Sequence, residues 1–370
     1  MSSSLEEFFS SIEDPRVERR KKHKLLDIII LTICAVISGA EGWEAIEQFG
    51  EDKQDWLEKW IALENGIPSH DCIARVIARI LPAQMTECFI AWTQSVAQIS
   101  NGEVVAIDGK TAHHSYGKDK LGAIHMVSAW ANKAGMSLGQ VKTEAKSNEI
   151  TAIPMLLEML EIKGCIVTID AMGCQTDIAA KIVEKKADYV LAVKDNQALL
   201  HEAIADYFQE ASTANNPSLC QLQQQEETNA DHGRIEIRRC YLSTCLDTLP
   251  EVSRWKGLKS IGMMESERIV NGKTSVERRH YICSLTEVKV FANAARAHWG
   301  VENSLHWVLD VTFREDDSRI RTGYAPENFN IVRQLAINLL KKEPSKLSIK
   351  RKRFRASLSD KFREEVIFAS

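Results

Sequence analysis

The sequence has no CxxC pair, although it contains nine cysteines, and the closest two are Cys240 and Cys245. Scattered thiols of odd number exclude a disulfide framework and a zinc module, and they point to a reducing cytoplasm. Both nucleotide-binding glycine loops are missing as well. Gly109-Lys110-Thr111 and Gly272-Lys273-Thr274 each supply the end of a Walker loop, but Val104 and Glu267 stand where its first glycine belongs. There is no GxGxxG and no internal repeat.

A long apolar run is also lacking. The best candidate, "KLLDIIILTICAVISGA", is short of the roughly 20 residues a bilayer requires and contains Asp27 and Thr32. It starts too far from Met1 for an ordinary signal peptide, so a buried helix over residues 25–38 is expected and a membrane role is not. Nor is there a strong charge imbalance, since the net charge is −4. That sum hides two basic clusters. Residues 16–24 hold six Lys or Arg against one Glu, and residues 341–363 hold ten against two acids. Such runs are solvated faces or phosphate-binding surfaces.

What remains is ordinary globular composition, 44% hydrophobic and 26% charged, in a chain long enough for two or three domains. Residues 1–100 read as an all-helical domain, with Trp43, Ile46, Phe49, Trp56, Leu57 and Trp60 at mostly helical intervals. The pattern then changes. "VVAID" is a short β-branched strand, "IHMVSAWA" and "SLGQVKT" are two more, and "NKAG" between them suits a hairpin turn. Helices and strands then alternate through "CIVTIDAM" and "DYVLAVK", which requires parallel pairing with crossovers. Residues 101–199 are thus the first part of an α/β core. Residues 200–286 are a β-rich insertion that opens on a polar loop, "ASTANNPSLCQLQQQEETNA". Residues 287–340 return to helix, and residues 341–370 form a basic tail.

Two strands end on a lone acid, Asp108 in "VAIDGKT" and Asp170 in "TIDAMG". One such acid reads equally as a turn cap. Two in one sheet favour a functional pair, because neighbouring strands lie about 4.8 Å apart. Oxygen ligands alone suit Mg²⁺ or Mn²⁺ rather than zinc. A third acid is Glu302, in "HWGVENSLHWVLDV", where His298, Glu302 and His306 are spaced four apart on one expected helix face. An amphipathic helix wetting its polar side is the plain alternative. Asp310, Asp316 and Asp317 are rival acids and rank behind Glu302.

The order β-β-β-α-β-α-β followed by a helix, with acids on the first strand, the fourth strand and the late helix, matches a ribonuclease-H-like fold. With these motifs the chain resembles the DDE insertion-sequence transposases of bacteria, and most closely the H-repeat-associated group. The resemblance spans nearly the whole chain. It runs through "DPRVERRKKHKLLDIIILTICAVISGAEGW", "GIPSHDCIARV", "VAIDGKT", "KSNEITAIPMLLEML", "TIDAMGCQ", "LAVKDNQ" and "HWGVENSLHWVLDVTFREDDSRIR". It departs at Ala112 and His113, where the family pattern has a Leu-Arg pair.

This resemblance implies a metal-binding catalytic triad of Asp108, Asp170 and Glu302, with Asp108 bridging two Mg²⁺ (or Mn²⁺) ions. It also implies a β-rich insertion between the second Asp and the Glu. The expected activity is cutting of element ends and their joining to target DNA, carried out by a homodimer. Lys110, Arg296, His298, Arg319 and Arg321 are candidates for DNA contacts, since cationic groups match phosphate charge. The alternatives are a ribonuclease-H-like nuclease without strand transfer and an inactive DNA-binding relic.

Overall fold

The structure, a computed structural model, describes residues 5–112, 123–143, 149–213, 222–231 and 234–368. Six helices come first: α1 (Leu5–Phe9), α2 (Leu25–Ile37), α3 (Trp43–Asp52), α4 (Gln54–Leu57), α5 (His70–Ile77) and α6 (Pro82–Val96). Strands β1 (Val104–Ala112), β2 (Ile124–Ala131) and β3 (Met136–Lys142) follow, and then α7 (Glu149–Met159), β4 (Ile166–Ile169), α8 (Thr176–Glu184), β5 (Asp188–Val193) and α9 (Ala198–Thr213). Next are β6 (Leu222–Asp231), β7 (Arg234–Ser243), β8 (Ser260–Val270) and β9 (Lys273–Cys283). The chain closes with α10 (Val288–Ala297), α11 (Trp299–Val301), a π turn (Glu302–His306), α12 (Trp307–Val311), α13 (Ala325–Lys342), α14 (Ile349–Leu358) and α15 (Asp360–Phe368). The result is a mixed α/β protein of two compact units.

The first unit comprises Met1–Ile99, Gly109–Asn148 and Val301–Ser370. Helix α2 is buried at every position but Leu26, as its largely apolar composition requires, and the burial includes Asp27 and Thr32. Its 13 residues span about 20 Å, well under the roughly 30 Å of a bilayer core. Among the described residues no helix is long and apolar enough to cross a membrane. The N-terminal helices do not form a core by themselves, because α2, α5 and α6 all pack on α13.

Helix α13 carries Pro326 at its second position, where the missing N–H costs nothing in the first turn. Asn328 through Leu340 are all buried, including four amide side chains. Asn328 Nδ2 donates to the Ile77 and Ile80 carbonyls at 2.8 and 2.9 Å. Gln334 Nε2 donates to Ser128 Oγ (3.1 Å) and to Gln140, and Asn338 exchanges two 2.8 Å bonds with the Ser137 backbone. Gln334 and Asn338 fasten the β2–β3 hairpin to the helix, where van der Waals packing alone would leave its register weakly specified. The hairpin itself turns at residues 132–135, the stretch expected from the sequence.

The C-terminal basic run is folded, unlike the tail expected from its charge. It forms α14 and α15, with Lys352, Arg353 and Arg363 buried. Arg353 donates to the carbonyls of Val36 (3.0 Å), Ala40 (3.0 Å) and Thr312 (2.6 Å), so it caps the end of α2. Arg363 donates to Ser38 Oγ at 3.1 Å, and its guanidinium lies 4.3 Å from the Trp56 ring centroid. Carbonyls and aromatic faces replace the water these cations would otherwise hold.

The second unit comprises Ser100–Asp108 and Glu149–Gly300. Its sheet has the order β1-β4-β5-β9-β8-β7-β6. β1, β4 and β5 are parallel neighbours, and β9 joins β5 antiparallel in the register Val190↔Cys283 to Val193↔His280. The β-rich segment therefore continues the same sheet. Helix α10 covers it, with Phe291 fully buried beside Cys240, Leu242, Met264 and Tyr281. Gly262 makes this possible, since a Cβ there would run into the Phe291 ring.

One expected loop is a strand. Residues 222–231, "LQQQEETNAD", pair along their whole length with β7, while residues 214–221 lie outside the described residues. As the outermost strand in the order, β6 needs backbone pairing on one side only. Its polar side chains meet Arg239 and Arg296 instead of a core.

Candidate active site

The register of β1 on β4 is Val104↔Ile166 through Ile107↔Ile169, so Asp108 and Asp170 occupy the next equivalent step on adjacent parallel strands. Both strands are buried: Val105, Ala106, Ile107, Val167 and Ile169 are at most 2% exposed. Asp170 directly follows the last residue of β4, whereas Asp108 lies in the middle of β1, which runs on to Ala112 instead of stopping at the acid as the sequence led one to expect.

Asp170 caps a 3₁₀ turn, Ala171–Gly173, and its Oδ1 accepts from the backbone N–H of Met172 at 3.0 Å and of Gly173 at 3.4 Å. That leaves Oδ2 clear of the amides. Burial, with the charge of Glu149 added, holds this carboxyl above the usual aspartate range, and the two amides and Lys194 only partly oppose it. The carboxylate thus lacks sufficient positive charge around it.

The turn is held from outside too. Asn196 Nδ2 donates to the Ala171 carbonyl at 2.7 Å and Gln197 Nε2 to the Cys174 carbonyl at 3.0 Å. A Cβ on Gly173 would collide with Ile169 Cγ2. Sequence reading overlooked these roles, although the motif "KDNQ" straight after an apolar strand was the available signal.

His298 packs behind the same strand, with Nδ1 3.1 Å from Thr168 Oγ1. Burial pulls its pKa down to about 4. A neutral ring tied to β4 does not offer phosphate a charge at neutral pH. Arg296, another candidate DNA contact, is ion-paired with Glu227 at 2.5 Å.

In the first unit, Glu302 is exposed and opens the π turn, whose defining bond runs from the Trp307 N–H to the Glu302 carbonyl. The expected even stripe of residues four apart is therefore interrupted, since a π turn rotates less per residue than an α turn. Single π turns inside helices are uncommon and gather at functional sites.

Lys110 is placed differently from the phosphate contact expected of it. Its ammonium lies 2.7 Å from Asp310 Oδ1, 2.7 Å from Glu315 Oε2 and 3.5 Å from Asp316 Oδ1. Burial opposes its charge, but Glu315 and Asp310 outweigh burial and raise its pKa. The rival acids are thereby engaged: Asp310 and Asp316 face Lys110, and Asp317 pairs with Arg314 at 3.0 Å. Arg319 is exposed and Arg321 is half-buried. Ala112 is buried in β1, whereas His113 lies outside the described residues. Among the described residues no three His, Cys, Asp or Glu side chains are grouped as metal ligands.

The family models and the curated relatives agree with one another. The family model described as "Transposase DDE domain" matches residues 99–339, and one described as "DDE_Tnp_1-associated" matches residues 6–93. YncI of Escherichia coli O157:H7, which carries a transposase name, is 47% identical across 98% of this chain and 94% of its own. YhhI of Escherichia coli K12, named as an H repeat-associated transposase, is 46% identical across 99% of this chain and 98% of its own. Among solved structures, a piggyBac transposase synaptic complex with hairpin DNA covers 99% of this chain at a TM-score of 0.41 and 11% identity, too distant to bear on the fold.

Proposed function

This chain belongs to the DDE transposase family, and we propose that Asp108, Asp170 and Glu302 are the carboxylates with which it cuts element ends and joins them to target DNA. The observation that carries this reading is the shared step of Asp108, in β1, and Asp170, just past the end of β4, on neighbouring parallel strands. A ribonuclease-H-like core is the fold that this placement supports, with the β2–β3 hairpin between the first acid-bearing strand and the second.

The family works with divalent metal ions. The residues present suit one. Asp170 is a half-buried carboxylate short of positive charge, with Oδ2 not used by the amides that hold Oδ1. An all-oxygen set of two aspartates and a glutamate favours Mg²⁺ or Mn²⁺. When bound, such ions make water or a 3′-hydroxyl more acidic and neutralise charge on the leaving oxygen.

The protein's own part is to hold the donors in place. Asp108 binds from the middle of β1 and Asp170 from the step just past β4, and the Asp170 turn is braced by Asn196 and Gln197. His298, neutral and joined to Thr168, supports β4 without adding a competing positive charge. Glu302 contributes the third carboxylate. Arg319 and Arg321 contact DNA phosphates, and two copies act together on a pair of ends.

The test is cleavage of element-end DNA with Asp108→Asn, Asp170→Asn and Glu302→Gln. Each variant abolishes divalent-ion-dependent nicking and retains DNA binding. Nicking at the wild-type rate by any one of them removes that residue from the catalytic set.

A further inference from the structure

Helix α14 carries five cations in ten residues, "IKRKRFRASL", and the fold divides them into two groups. Lys352 and Arg353 turn inward: Lys352 Nζ donates to the Leu340 carbonyl at 2.9 Å, and Arg353 caps α2. Lys350, Arg351 and Arg355 turn outward and are exposed, together with Phe354 (67% exposed) and Leu358 (68% exposed).

Lys350, Phe354 and Leu358 are spaced four apart, as are Arg351 and Arg355, so all five share one side of the helix. No acid interrupts this stripe. The neighbouring acids are engaged elsewhere, Glu343 with Lys352 at 3.0 Å and Asp360 with Arg363 and Lys53 at 2.9 and 3.0 Å. Among the described residues Lys350 and Arg351 have no ion-pair partner. The Arg355 guanidinium lies 4.4 Å from the Phe362 ring centroid, which holds it without neutralising it.

We propose that this stripe of α14 is a docking surface for the sugar–phosphate backbone of duplex DNA, an interface separate from the carboxylates that do the chemistry. The inference rests on the reading that the protein acts on DNA. Three unneutralised cations on one rigid helix match a polyanion, and each phosphate they engage releases a counterion. Phe354 and Leu358 supply apolar contact with deoxyribose, which distinguishes this face from a merely solvated charge run.

The experiment uses the full chain and a fluorescently labelled duplex of random sequence, with affinity measured by anisotropy from about 50 to 200 mM salt. Lys350→Gln/Arg351→Gln/Arg355→Gln should bind more weakly, with a log–log salt slope shallower by about 2 to 3, since each phosphate contact contributes about 0.9. Phe354→Ala, tested alone, should weaken binding at every salt concentration and leave the slope intact. All the changed positions are exposed, so thermal melts should match the wild type. If the wild type binds the duplex and the triple variant keeps its slope, this surface is overturned and the DNA reading stands. If the wild type does not bind the duplex even at the lowest salt, the DNA reading itself is overturned.

Discussion

Lys110 Nζ sits 2.7 Å from Glu315 Oε2, and Glu315 has only 1% of its side chain exposed. A cation two residues past Asp108 is thus used inside the protein, with Asn330 and Arg333 completing the surroundings of Glu315. Lys110→Met leaves a buried carboxylate without its main counter-ion and is expected to cost about 3 kcal/mol of stability. Lys110→Met/Glu315→Gln should recover part of that loss in a double-mutant cycle measured by urea unfolding. The salt slope of DNA binding should stay at its wild-type value. A stable Lys110→Met protein with a shallower slope would restore the phosphate-contact reading.

The turn that holds Asp170 leaves no room for a side chain at Gly173. Gly173→Ala is expected to move the Met172 and Gly173 amides off Asp170 while the β4 core, formed by other residues, survives. The divalent-ion concentration giving half-maximal DNA cleavage should rise in this variant. An unchanged concentration would mean that the amides do not position the carboxylate.

Gln334 bonds to Ser128, Gln140 and Asn330, and it accepts from Ser137 Oγ at 2.5 Å. Gln334→Leu strands buried partners at about 1–3 kcal/mol each, so a total loss of at least about 2 kcal/mol is expected. Chemical denaturation reads this directly. Stability equal to wild type would show that the partners repair themselves or admit water.

Stability should also fall in mild acid through His280. Burial, aided by His201 and Arg278, lowers its pKa to about 4 from the ordinary 6.5. In that window the unfolded chain binds a proton that the folded chain refuses, so stability drops as pH falls from 6.5 and levels off below about 4. The loss from this group is on the order of 3 kcal/mol. His280→Gln removes the titration, and its melts between pH 7 and 4 should show a correspondingly flatter acid limb. An identical acid limb would assign the loss to other groups.

Both acid-bearing strands were readable in the sequence as short β-branched runs, although β1 continues past Asp108 to Ala112, through Gly109 and Lys110, which carry no strand signal of their own. So was the buried helix α2, whose apolar residues go all the way round. Pairing was harder to read. Nothing local in Asp108 or Asp170 states that they share a step, and Lys110 finds Glu315 only 205 positions along the chain. Strand β6 looked like a loop because an edge strand needs no apolar face. The C-terminal run looked like a tail because composition cannot distinguish Arg353, which caps a helix, from Arg351, which faces water. The amides of α13 did leave a trace, Asn330, Gln334 and Asn338 at spacings of four, which marks one polar face on a helix otherwise rich in Leu and Ile.

The most direct measurement is Mn²⁺ uptake by the DNA-bound protein, followed by electron paramagnetic resonance. Wild type should take up two ions per active site, and Asp108→Asn, Asp170→Asn and Glu302→Gln should each lower that uptake. Uptake unchanged in all three variants would contradict the account, since these carboxylates would then not be the ones that hold the metal.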